Sequence, residues 1–432
     1  MHISGHRLSL IISALLLCMW IIGGCASSAS SPAQIESRVT SSDAVSSEQT
    51  DSQTFSFEAA DSTITDSHAS SWAAMEPTGH MQLDYATEFS VDYYDDFALI
   101  TIGGTDRYLL ISENTKAPAD LDTDIIPIRK PDTVYLAASA GMDYFRVLKA
   151  LDTVRMTSTQ AVNWSLPEVV QALDSEKMLY AGKYSAPDYE LLLREGIDLA
   201  IESTMIYHTP ETKEKIEKLG IPVLVDKSSY EPHSLGRMEW IKLYGLLVGK
   251  TDEADAFYNE QLASLTAVPE LSKMLSSTGS AQNPVASQDS PTVSYFYITS
   301  SGYANVRRPG DYISKMIEMA GGSYAFADAS VSEDSAKATM NMQMEAFLDR
   351  ALVSDILIYS TSIDGEMHSA EELYKKAPML KQSRAASAGN IWITGKNMYQ
   401  QTTAVAQMML ELHSVITGEA DEAEMEFLHR LN

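Results

Sequence analysis

Met205-Ile206-Tyr207-His208 places a thioether, a phenol and an imidazole within four consecutive residues, three donor types that iron accepts. Exposed loop residues read the same way. Arg307-Arg308 sets two guanidinium groups side by side in a chain of 59 acidic and 31 basic residues. Guanidinium groups hydrogen-bond anionic oxygens and stack on aromatic rings. Ordinary surface basicity ahead of Pro309 is the other reading of that pair. His80, His233, His368 and His413 show no HxH or HxxxH spacing, which disfavours a dedicated zinc or manganese centre. Met340, Met342 and Met344 alternate along a short stretch, as a Met-rich rim or as packing residues would. Gly103-Gly104 and Gly321-Gly322 lack the spacing of a phosphate loop, and no GxSxG turn occurs, so the residues argue against an enzyme.

The net charge of −28 repels phosphate backbones, which argues against a nucleic-acid role. Two cysteines are present, Cys18 and Cys25, and both lie near the N-terminus. There, His6-Arg7 precedes an apolar run of about 15 residues, short for a membrane span, and Ile21-Ile22-Gly23-Gly24-Cys25 closes it. This segment resembles the signal of bacterial lipoproteins. The resemblance implies that residues 1–24 are removed and that Cys25 carries lipid, with Ile22 standing where leucine is usual. Residues 25–79, rich in Ser, Thr, Ala and Asp, read as a disordered tether to a membrane.

The elements that must position the candidate residues start near residue 80. Short β-rich runs at 89–93, 98–102 and 108–111, with Gly103-Gly104 between two of them, predict a β-meander extension over 80–125. Strand and helix signals then alternate. Strands are expected at 134–138, 154–157, 178–181, 199–202 and 223–225, separated by helical periodicity. That alternation predicts an N-terminal α/β lobe over 126–234 with a mainly parallel sheet. Residues 235–275 read as a helical connector, broken at Gly249-Lys250-Thr251, and 276–291 as a surface loop. A second α/β lobe is expected over 292–432, with strands at 293–298, 356–359 and 391–393. The expected fold class is α/β: two lobes joined by a helical connector, with a ligand cleft between them.

Four stretches then resemble one family. These are Asp132-Thr133-Val134-Tyr135-Leu136, Glu195-Gly196-Ile197-Asp198-Leu199-Ala200-Ile201, His233-Ser234-Leu235-Gly236-Arg237-Met238-Glu239-Trp240-Ile241, and residues 313–322 followed by Phe326-Ala327-Asp328. In this order around a helical connector, residues 124–431 resemble the periplasmic-binding proteins that deliver ferric siderophores, haem or cobalamin to ABC importers. The extension, the tether and the 276–291 loop fall outside the resemblance. It implies a monomeric, lipid-anchored, extracytoplasmic binding protein without a cofactor of its own, working with a permease dimer and its ATPase. It also implies that Met142, Tyr144, Tyr184, Met205, Tyr207, His208 and Arg237 line the N-lobe side of the cleft. From the C-lobe come Tyr303, Arg307, Arg308, Asn397 and Tyr399. Glu190 and Glu318 are carried over as the carboxylates presented to the permease. A ferric siderophore is the expected ligand, with haem or cobalamin as alternatives. Iron ligation by His208 belongs to the haem case. A surface interaction or sensor lipoprotein is the alternative outside transport.

Overall fold

The structure is a computed structural model, and it describes residues 71–277, 289–329, 338–361 and 365–432. The signal segment, Cys25, the tether up to residue 70 and residues 278–288 of the predicted loop lie outside the described residues.

The alternation in the sequence becomes two sheets. The first has the strand order Val223–Asp226, Leu199–Ser203, Val134–Leu136, Val154–Thr157, Leu179–Tyr180, and every pair in it is parallel. Its strands Val134–Leu136, Leu199–Ser203 and Val223–Asp226 are buried almost throughout, as expected for a parallel sheet covered on both faces. The helices Tyr189–Arg194 and Pro210–Lys218 supply Leu192 and Ile216 to one face, where they meet Tyr135, Ala200 and Val223.

The second sheet has a parallel centre, Thr292–Ile298, Ile356–Tyr359 and Ile391–Thr394. Antiparallel strands extend it on both sides: Ala304–Arg307 and Thr339–Met342 on one, Leu428–Arg430 on the other. Those three strands were not expected from the sequence. Each is only three or four residues long, too short for alternation to show. One consequence concerns the methionines: Met340 and Met342 lie on the edge strand, and Met344 starts the helix Met344–Ala351.

The connector consists of Ser234–Glu239, Ile241–Val248, Thr251–Thr266 and Pro269–Ser277. Gly249 ends the second of these helices in a left-handed conformation, φ 70°, which glycine adopts without a Cβ penalty.

The N-terminal strands form their own five-stranded sheet, Gly79–His80, Phe89–Tyr94, Phe97–Ile102, Asp106–Ile111 and Ile125–Arg129. The pairing is antiparallel as far as Asp106–Ile111, to which Ile125–Arg129 then pairs in parallel. The sequence suggests an addition placed ahead of the main fold, but this sheet is built into it. Phe89 packs edge-on to Trp240 of the connector with ring centroids 5.0 Å apart, and the Tyr108 hydroxyl donates to the Val223 carbonyl at 2.9 Å. Two buried glutamates tie it down. Glu239 accepts backbone N–H groups from Asp84, Tyr85 and Ala86 at 2.8–2.9 Å. Glu231 accepts those of Thr87 and Glu88 at 2.8 and 3.0 Å. Gly236 is required where this segment crosses the connector, because a Cβ there would lie 2.8 Å from the Tyr85 carbonyl oxygen.

Candidate functional site

The two lobes meet through side chains at their facing ends. Gln400 accepts the Ser165 N–H and hydroxyl, both at 2.7 Å, and donates to the Asn163 carbonyl at 2.7 Å. Asp143, wholly buried, accepts the Thr403 N–H at 2.8 Å and hydroxyl at 2.5 Å, and pairs with Arg146 at 2.7 Å. Ser234 of the connector donates to the Tyr312 carbonyl at 2.7 Å. N-lobe, connector and C-lobe therefore converge on residues 399–403 and 311–312.

The richest polar cluster stands beside this junction, on the C-lobe. Strand Ala304–Arg307 ends in Arg307, which is buried. Its guanidinium hydrogen-bonds the Tyr399 hydroxyl, lies 4.9 Å from the Tyr399 ring centre and 5.7 Å from that of Tyr295. Asp311 pairs with it at 3.5 Å, and the hydroxyls of Tyr295 and Tyr399 are 2.6 Å apart. Ser360 completes the group, 3.3 Å from the Tyr399 hydroxyl. Burial works against the Arg307 charge, but Tyr399, Asp311 and Tyr295 outweigh it and hold its pKa well above the ordinary arginine value. It is a fixed cation in an aromatic setting, suited to anionic oxygens. A small cavity of about 10 Å³ adjoins it, lined by Tyr295, Asn305, Arg307, Thr339 and Ser360 among others.

Arg237 forms a second such point from the connector. It is buried, with its guanidinium 4.4 Å from the centre of the Tyr312 ring. One helical turn earlier, His233 stacks on Tyr85 with centroids 4.4 Å apart, and burial lowers its pKa to about 4. That ring is neutral at physiological pH.

Other expected residues lie elsewhere. Met142 and Tyr144 are wholly enclosed core side chains, a correction to their expected place at the cleft surface. The helix Met142–Val147 packs onto Ile241–Val248, and the Tyr144 hydroxyl donates to the Arg237 carbonyl at 2.6 Å, supporting Arg237 from behind. Tyr184 is half-buried against the outer face of the N-lobe sheet. Arg308 donates to the Thr339 carbonyl at 3.3 Å, and Asn397 donates to Glu426 at 3.0 Å. Tyr303 is exposed in the turn before its strand.

Met205, Tyr207 and His208 are all exposed on one turn after strand Leu199–Ser203. The N-terminal sheet reaches this turn, since Tyr207 lies 3.5 Å from Asp106, and Lys227 lies 3.7 Å from Asp106 and 6.0 Å over the Tyr207 ring. Of the two carboxylates expected to face a permease, Glu190 is exposed in the first turn of Tyr189–Arg194. Glu318 is largely covered and paired to Lys315 at 3.0 Å.

Sequence reasoning overlooked Tyr295, Tyr312, Asp311 and Ser360. Tyr295 reads as one more apolar residue of a buried strand. Asp311 had a faint signal, its spacing four residues after Arg307. Among the described residues no group of three His, Cys, Asp or Glu converges to hold a metal, and no helix is long and apolar enough to cross a membrane.

This geometry defines a two-lobe α/β protein whose lobes meet beside a buried arginine–tyrosine cluster. Known structures share the architecture. A periplasmic haem-binding protein from Pseudomonas aeruginosa superposes with a TM-score of 0.53 at 14% identity, covering 70% of this chain and 98% of its own. A petrobactin-binding protein from Bacillus subtilis gives 0.51 at 14% identity, covering 69% and 94%. A periplasmic binding protein from Veillonella parvula gives 0.51 at 16%, covering 67% and 92%. The chain has the fold of these periplasmic binding proteins.

No family model matches the chain. Among curated proteins, an uncharacterized lipoprotein of Methanocaldococcus jannaschii is 23% identical over 330 residues, covering 73% of this chain and 77% of that protein. An uncharacterized protein of the same organism is 26% identical over 203 residues, covering 46% and 55%.

Proposed function

We propose that this protein is the substrate-binding subunit of an ABC importer and that it captures a ferric siderophore at the lobe junction. Arg307 carries the proposal: a buried cation on two tyrosine faces, beside the residues through which the lobes touch. Catecholate and hydroxamate chelates present anionic oxygens around flat chelate rings, which arginine and tyrosine bind by hydrogen bonds and stacking. The mature protein is held by lipid on Cys25 at the extracytoplasmic face of the cell membrane, acts as a monomer, and needs no cofactor. Glu190 and Glu318 meet the permease, with Glu318 exchanging Lys315 for a permease arginine. Rim charges of this kind set orientation and on-rate more than affinity, so docking stays reversible. Turnover is the work of the separate ATPase, and the binding protein is not an enzyme.

A haem ligand is the second reading. It is favoured by the joint exposure of Met205, Tyr207 and His208 on one turn, where a haem iron has three ligand types within reach.

Tryptophan fluorescence of the purified protein tests both, with Trp164 beside the Ser165–Gln400 contact as reporter. Titration with ferric catecholate, ferric hydroxamate, haem and cobalamin should give quenching by a ferric chelate. The double substitution Arg307→Ala, Arg308→Ala should weaken it roughly 10–100-fold, the worth of one charge-assisted hydrogen bond or more. Saturation by haem alone, lost in His208→Ala, would replace the siderophore with haem. Saturation by cobalamin alone would move the ligand to a corrinoid. Silence towards all four would favour a non-transport surface role.

A further inference from the structure

Where the lobes and connector converge, several buried polar groups lack hydrogen-bond partners. Arg237 is 6% exposed, its Nε has no hydrogen-bond acceptor, and among the described residues no ion pair engages it. Burial works against its charge, but Tyr312, Tyr144, Asp226 and Asp311 outweigh it and hold its pKa above the ordinary arginine value. Asp226 is already occupied by the Tyr244 hydroxyl at 2.5 Å and the Ser228 N–H at 2.8 Å, and Asp311 by Arg307 and the Ile313 N–H.

The neighbours of Arg237 are also without partners. His233 accepts the Leu235 N–H on Nδ1 at 3.2 Å, so its neutral ring carries the proton on Nε2, which has no acceptor. His233 and Arg237 are one turn apart and share a helix face. The hydroxyl of Tyr312, whose ring lies beneath the Arg237 guanidinium, and the Thr402 hydroxyl are both buried without a partner. Internal waters commonly satisfy buried hydroxyls. They do not neutralise a buried cation, whose desolvation is costly unless an anion pairs with it.

We propose that Arg237, with Tyr312 and His233 beside it, is an acceptor site for a carboxylate. Its Nε and the adjacent Nη form the planar fork that a carboxylate meets with two parallel hydrogen bonds. The carboxylate comes either from a free small acid or from the acidic arm of a larger chelate. The second form rests on the reading of this junction as the ligand site; the first does not.

Thermal unfolding of the purified protein distinguishes the sources, using sodium acetate against sodium chloride at equal ionic strength. It is joined by titrations with ferric citrate, which bears carboxylates, and a ferric trihydroxamate, which does not. Arg237→Met removes the charge at similar volume, and Arg237→Lys keeps the charge without the fork. For a free acid, acetate should raise the midpoint of the natural protein by about 2–4 °C over chloride, less in Arg237→Lys and not at all in Arg237→Met. For a chelate arm, acetate has little effect, but Arg237→Met weakens ferric citrate at least tenfold and leaves the trihydroxamate unchanged. Equal midpoints in acetate and chloride together with unchanged ferric citrate binding in Arg237→Met would overturn the site. So would an acetate shift that survives that substitution. An acetate shift in a protein that binds no ferric chelate would instead sink the ferric-siderophore reading and leave the carboxylate site standing.

Discussion

Glu202 is a buried carboxyl that links folding to pH. It is the penultimate residue of strand Leu199–Ser203 in the N-lobe sheet, is wholly enclosed, and neither carboxylate oxygen has a hydrogen-bond partner. Burial raises its pKa to about 8, far above the ordinary glutamate value. The folded state thus keeps a proton that the unfolded chain has released. Stability from this group is fully present below the unfolded pKa and declines as pH rises, until the folded carboxyl ionises near 8. The natural protein should lose up to about 1.4 kcal/mol per pH unit across that window. Glu202→Gln, neutral at every pH, should flatten the dependence. Denaturant melts of both proteins at pH 5, 6, 7 and 8 check this; parallel curves would show that Glu202 is solvated or paired.

At the scale of elements, the buried glutamates of the connector decide where the N-terminal sheet goes. Glu239 collects three backbone donors from residues 84–86 and a buried ion pair with Lys242 at 2.8 Å. Glu411 does the same for the C-terminal segment, accepting N–H groups from Glu426, Phe427 and Leu428 at 2.9–3.0 Å. A carboxylate with several oriented N–H donors is well solvated by the protein, whereas removing it leaves those donors and Lys242 unpaired. Glu239→Gln should therefore destabilise by about 3–5 kcal/mol. Faster amide exchange at residues 84–86 should accompany the loss. A loss below about 1 kcal/mol would mean that the sheet is held by apolar contacts such as Phe89 on Trp240 alone.

For the whole molecule, polar side chains join the lobes beside a shared apolar core. Gln400 makes three hydrogen bonds to the loop holding Asn163 and Ser165, each with a net worth of about 1 kcal/mol. Asp143–Thr403 is the more buried contact. Gln400→Ala should let the lobes separate at the loop while Asp143–Thr403 and the connector act as the pivot. Spin labels on the two lobes would then show a broader, longer distance distribution, with the melting midpoint moved by only a few degrees. An unchanged distribution would assign lobe closure to the connector instead. Transport is tested separately: charge reversal of Glu190 and Glu318 should abolish uptake while ligand affinity stays normal, and unaffected uptake would remove both from the docking surface.

Much of this architecture is legible in the chain itself. Strand–helix alternation, Gly249 ending a helix and the strand-free connector are local patterns, set by periodicity and backbone preference within a few turns. They specify the two α/β lobes without any knowledge of contacts. Arg307 and Tyr399 were also legible as candidates, because adjacent guanidiniums in so acidic a chain stand out. Their meeting was not: they are 92 residues apart, and pairing across a sheet depends on register and strand order, which no local window contains. The same limit explains Met142 and Tyr144, whose position after the first strand suits a cleft until the connector helix covers them. Glu239 and Glu231 look like solvated acids in a sequence holding 59 of them. Only the tertiary structure buries them and brings up the backbone donors that make burial tolerable. Local energetics fix which elements form; long-range burial decides which charged residues become structure and which remain available to a ligand.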